Sequence, residues 1–80
     1  MDGAAELRRR AGRWREQAEV TRAELRVLRA VGALAWRGNS AAAFRGVLAR
    51  QVRELVQLAE SEDAVADLLD RLAAAVEQAA

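Results

Sequence analysis

Thirteen arginines and twelve carboxylates are the only ionisable side chains in this 80-residue sequence, which contains neither His nor Cys. Most metal sites and most nucleophile–base pairs draw on those two missing residue types, so thiolate and imidazole chemistry is removed and only carboxylate chemistry stays open. No catalytic, cofactor-binding or metal-ligating set is expected, and no disulfide can form. The arginines are the first candidates for binding. Arg8, Arg9, Arg10, Arg13 and Arg15 fall between Leu7 and Arg15 with Trp14 among them and no acid. Arginine pairs with phosphate and tryptophan stacks on bases, so a basic-helix module acting on nucleic acid is one reading of this stretch. The opposing reading starts from the other end of the chain. There Glu60, Glu62, Asp63, Asp67, Asp70 and Glu77 face a single Arg71. A chain that doubles back near its middle lays Arg8, Arg10, Arg13 and Arg15 beside Asp63, Asp67 and Asp70. Exposed pairs contribute only about 0–1 kcal/mol each, so they set register rather than stability. Neutralised in this way, the arginines do not imply a nucleic-acid partner.

Positioning those charges requires a turn, and one stretch supplies it: Trp36-Arg37-Gly38-Asn39-Ser40. Gly38, lacking a Cβ, can end a helix in the left-handed conformation, and Asn39 tolerates the same region. Ser40 can cap the next helix ahead of the helix-forming Ala41-Ala42-Ala43. On both sides the pattern is helical. Leu7, Ala11, Trp14, Ala18, Thr21, Leu25, Leu28, Gly32 and Ala35 recur in alternating four- and three-residue steps, the seam of two helices packed side by side. Phe44, Leu48, Leu55, Leu58, Val65, Leu69, Leu72 and Val76 continue it after the turn, with Gln51 and Glu62 as polar members. The expectation is an all-α antiparallel hairpin in a single domain: helix 1 over about 4–36, a turn at 37–40 and helix 2 over about 41–78. Ser61, followed by acids, could cap a third helix, but the apolar spacing passes through Leu58, Glu62 and Val65 in register, which favours one continuous helix.

Two helices hide only their mutual seam. Val20, Val27, Val31 and Leu34 lie beside that seam on helix 1, and Val47, Val52 and Val56 beside it on helix 2. This surplus predicts further helices from another chain, giving a four-helix bundle dimer. Eighty residues without a staple bury too little surface for a deep core, which argues the same way. No apolar run is long enough to span a membrane, and the amino terminus lacks the charged-then-apolar plan of a cleaved signal peptide. The absence of Lys points to a GC-rich, actinobacterial-like composition.

Trp36-x-Gly38 at the centre of a helical hairpin, followed by the small Ser40-Ala41-Ala42-Ala43 run and then Phe44 and Gly46-Val47, resembles the WXG family of small early-secreted-antigen-like proteins of type VII (ESX) secretion. The resemblance covers nearly the whole chain. It implies a non-catalytic protein exported folded, without a cleaved signal peptide, as a homo- or heterodimer recognised by the secretion system's membrane ATPase. It also implies a composite export signal, in which Trp-x-Gly of one subunit lies near a Tyr-x-x-x-Asp/Glu of its partner. Trp36 and Gly38 match the first half, whereas the chain has no Tyr. The missing half would come from a partner, itself a helical hairpin or a larger effector carrying one. A cytoplasmic targeting chaperone that covers the hydrophobic hairpin of an effector is the alternative reading.

Overall fold

In the computed structural model, which describes residues 3–38 and 41–80, the chain is a hairpin of two long α-helices, α1 (Gly3–Arg37) and α2 (Ala42–Ala79). Their bounds fall within one residue of those expected at each end. The helices run antiparallel: Arg8 pairs with Glu77, Arg15 with Asp70 and Thr21 with Glu62. No break occurs at Ser61, so the three-helix alternative is not realised.

The seam is built from small residues, and here the sequence expectation needs correction. On α1 the buried positions are Ala4, Ala11, Ala18, Thr21, Leu25 and Ala35. On α2 they are Leu48, Ala59, Glu62, Ala66 and Ala73. Phe44, Leu58, Leu72 and Val76, expected in that seam, are exposed, as is the Trp14 knob of α1. The alternating period holds and Leu48 and Glu62 keep their expected places in the seam, but α2 is rotated so that Ala59, Ala66 and Ala73 take the inward positions expected of Leu58, Val65 and Leu72. Geometry gives the reason. The Cα envelope is only 14 × 12 Å across. With a Cα cylinder about 4.6 Å wide, this leaves the helix axes about 9 Å apart or less, with no room for large side chains on both sides at every seam level. Alanine fits such a gap, while leucine on both sides would hold it open. The large side chains therefore go to the outside, where a second packing surface could use them.

The turn also departs from expectation. No described residue has a positive φ, so Gly38 does not end α1 in the left-handed conformation. Its N–H instead bonds the Leu34 carbonyl at 3.0 Å, continuing the helical pattern one residue further. A Cβ there would meet only that carbonyl, at 3.4 Å, so the backbone-strain argument for glycine does not apply. Helix α2 starts from Ala41, whose backbone is extended and which contributes no side-chain cap. Asn39 and Ser40, expected to shape the turn and cap α2, lie outside the described residues.

At 62 Å long, with a radius of gyration of 18.1 Å, the hairpin is far more extended than the roughly 12 Å expected for a compact domain of this length. Its accessible surface of 5702 Å² exceeds the roughly 4,700 Å² of a compact monomer of the same mass.

Candidate protein-interaction surface

A two-helix hairpin has two open faces, and this one divides its chemistry between them. Arg8, Arg15, Arg22 and Arg29 recur at seven-residue intervals on α1 and border the seam on one side. Asp63, Asp70 and Glu77 do the same on α2. Arg8 pairs with Glu77, Arg22 with Asp63, and Arg15 with both Asp70 at 2.6 Å and Asp67 at 3.1 Å. The bonds to Asp70 and then Asp67 favour the charged guanidinium of Arg15, and the bond to Asp63 that of Arg22. This face is a ladder of ion pairs across the open end.

Among the residues expected to set the register, Arg15, Asp67 and Asp70 meet directly and Arg8 bridges to Glu77 instead. Arg10 and Arg13 turn to Glu6 on their own helix. Side-chain bonds from Arg9 and then Arg10 hold the Glu6 carboxyl below its ordinary value. Asp63 takes Arg22, which sequence reasoning passed over although the repeat 8, 15, 22 was there to be read. Reversing both Asp67 and Asp70 to Arg is expected to loosen the open end and leave the turn end intact, at a cost of about 1 kcal/mol because every partner is exposed. Hydrogen exchange resolved along α1 checks this, with lost protection expected around Arg15 and none near Leu34.

The opposite face carries most of the exposed large apolar side chains, interspersed with polar ones. Trp14, Val20, Val27, Val31 and Leu34 of α1 and Phe44, Val47, Leu58, Leu68, Leu72 and Val76 of α2 are all exposed. Of the residues expected to contact a partner, Val20, Val27, Val31, Leu34 and Val47 lie on this face. Val52 and Val56 are half-buried and sit with Arg29 on the arginine side. The apolar face is not flat. Val27, Leu28, Val31 and Leu55 line a groove of about 500 Å³ between the helices, bordered by Glu24, Gln51 and Glu54. Toward the open end Trp14 lines a second depression with Arg10, Arg13 and Gln17.

Between the two faces, in the seam itself, lies one polar pair. The Thr21 hydroxyl donates to Glu62 Oε1 at 2.6 Å, with both residues buried. Burying a carboxylate is costly unless it is hydrogen-bonded, and any slip of one helix along the other would remove this bond. The pair pins the register more firmly than the exposed bridges do. Thr21 and Glu62 were each legible as seam positions, but nothing in the sequence joined them.

Trp36 belongs to neither the seam nor the apolar face. It sits at the turn end of the arginine side, 73% exposed, with the Arg45 guanidinium 4.9 Å from the ring centroid. Such an exposed cation–π contact contributes about 0.5–1 kcal/mol. Gly32, Ala33, Leu48 and Ala49 complete a shallow groove beneath the ring. The ring therefore lies over the hairpin rather than inside it. Among the described residues no His, Cys, Asp or Glu cluster could hold a metal ion, and no helix is long and apolar enough to cross a membrane. No family model, curated protein or solved structure matches this chain.

Proposed function

We propose that this chain is a WXG-like helical hairpin with a non-catalytic role, a substrate of type VII secretion or the dimer partner of one. The observation that carries the reading is the distribution of apolar residues: alanines make up most of the seam, while Val20, Val27, Val31, Leu34, Leu58, Leu68 and Leu72 stay exposed. A hairpin that keeps its bulky residues outside is half of a larger core. Covering that face with a second hairpin gives a four-helix bundle of standard interface size. The exposed Trp36 next to Gly38, at the tip and away from that face, remains accessible in such a bundle, as a recognition element must. The basic stretch fits this reading better than a nucleic-acid module, because Arg8, Arg9, Arg10, Arg13 and Arg15 all engage acids of the same chain.

The test uses Trp36→Ala in a host with a working type VII system, with a strain lacking the secretion ATPase as control. The variant is expected to keep its helicity by circular dichroism, since the ring is 73% exposed and lies over the hairpin rather than in its seam, and to disappear from the culture filtrate. A folded variant exported as well as the parent would remove Trp36 from recognition. Equal export of the parent with and without the ATPase would remove the secretion reading itself.

A further inference from the structure

We infer that the groove on the arginine side of the turn half, between Arg26 and Arg29 of α1 and Val56 of α2, docks an acidic amphipathic helix of another protein. A carboxylate of that helix reaches Arg29 at the place where α2 itself offers Val56. The inference goes beyond the proposed function, because this groove lies on the face opposite the apolar one and does not depend on what covers that face.

The ladder of ion pairs stops partway along the hairpin. Arg8, Arg15 and Arg22 meet Glu77, Asp70 and Asp63 in turn, stepping by seven residues on both helices. The next rung brings Arg29 to position 56, and the residue there is Val56. Both line one depression of about 330 Å³, together with Leu25, Arg26 and Ala59. Arg26 and Arg29 are exposed and in no ion pair among the described residues. They lie three residues apart on α1, with Arg22 four residues before Arg26, a spacing at which like charges repel. Only Arg22 of the three is neutralised, by Glu19 and Asp63.

The lining of the groove selects the kind of anion. Its floor is apolar, with Leu25 and Ala59 buried and Val56 half-buried. From Arg29 it continues over Gly32, Ala33 and Ala49 toward the turn. Fourteen residues separate Arg22 from Trp36, about 21 Å of helix, so a ligand helix of about four turns lies along it. A chain of phosphates would engage the arginines and leave the apolar floor in water. A helix with an apolar stripe beside an acidic one covers both, the usual way a helix fills a groove. Helix α2 displays the same pattern, for Asp63 and Asp70 reach the arginine stripe while Ala59, Ala66 and Ala73 are buried beside them.

Charge complementarity places such a helix on this half and orients it. Residues 22–61 hold seven Arg and three acids, while the rest of the chain, at the open end, holds six Arg and nine acids. Of the three acids, Glu24 and Glu54 border the groove of the opposite face, and Glu60 borders this one. An acidic partner is therefore drawn to the turn half and repelled from the open end. With Arg26 and Arg29 on the α1 rim and Glu60 on the α2 rim, its acids turn toward α1.

The experiment titrates the full chain into a fluorescein-labelled, alanine-based helical peptide with a leucine once per two turns and glutamates along one side of that stripe, and reads anisotropy. Binding is expected, and it should weaken with added salt. Arg26→Glu with Arg29→Glu should lower the affinity about tenfold with helicity retained. A peptide carrying arginine in place of glutamate should bind that variant and not the parent. Val56→Glu offers Arg29 a carboxylate from α2 and completes the ladder, so it should reduce peptide binding by a similar factor in a folded hairpin. Val31→Asp, on the opposite face, should leave the affinity unchanged, which separates this site from the proposed function. A parent that binds no peptide, or binding that the charge reversal leaves intact, would overturn the inference. Equal binding of a peptide with glutamine in place of leucine, or of an oligothymidylate, would overturn it too, because the surface would then take any polyanion.

Discussion

The Ala66→Leu variant is expected to lose about 1–3 kcal/mol of stability, enough to unfold or splay so thin a hairpin. Ala66 is fully buried, with helix axes about 9 Å apart or less around it. An isobutyl group there has no void to enter, so the helices must separate, and every alanine contact along the seam weakens with them. The same substitution at the exposed Ala64 should change stability by less than about 0.5 kcal/mol. Urea unfolding followed by circular dichroism, at one fixed protein concentration so that any association weighs equally on both variants, measures both. The pair of variants also discriminates between two packings. Were Leu58, Val65 and Leu72 the inner stripe, position 66 would flank the seam and accept leucine. Equal stability of the two variants would therefore restore the leucine-seamed hairpin.

The Val31→Asp variant should leave the isolated hairpin folded and weaken its association by about 2–4 kcal/mol, a factor of roughly 30 to 1,000. Val31 is 41% exposed in the hairpin, so an aspartate stays hydrated there until a partner arrives. On docking, its carboxylate must shed water inside an apolar groove already bordered by Glu24 and Glu54. Leu34→Asp, also on the apolar face but nearer the turn, should act in the same direction. Analytical ultracentrifugation of both, with helicity checked at each concentration, is the measurement. Unchanged association in both variants would move the interface off this face. The result bears on export too: a self-pair carries two Trp36-x-Gly38 motifs and no tyrosine. Under the proposed function, a related hairpin competing for this same face would complete the signal.

The sequence by itself determined the class of structure and where it turns. Absence of proline, a high alanine content and an unbroken four–three spacing leave little besides helix, and Gly38 with its neighbours marks the only place where that spacing stops. It also determined the antiparallel sense, since basic and acidic segments at opposite ends of the chain must come together to be neutralised. Periodicity, however, fixes the repeat of a stripe and not which of two adjacent stripes turns inward. On α2 the positions 58, 65 and 72 and the positions 59, 66 and 73 follow the same seven-residue repeat. Hydrophobicity favours the leucines and valine; only the distance between the packed helices decided for the alanines. That distance arises from both helices at once, because Ala11 and Ala18 on α1 admit a close approach only if α2 presents small residues to them. The same packing left Trp14 exposed, joined Thr21 to Glu62, and turned Leu58 and Leu72 outward. None of these follows from either helix alone, because each depends on how far one is turned about its axis against the other.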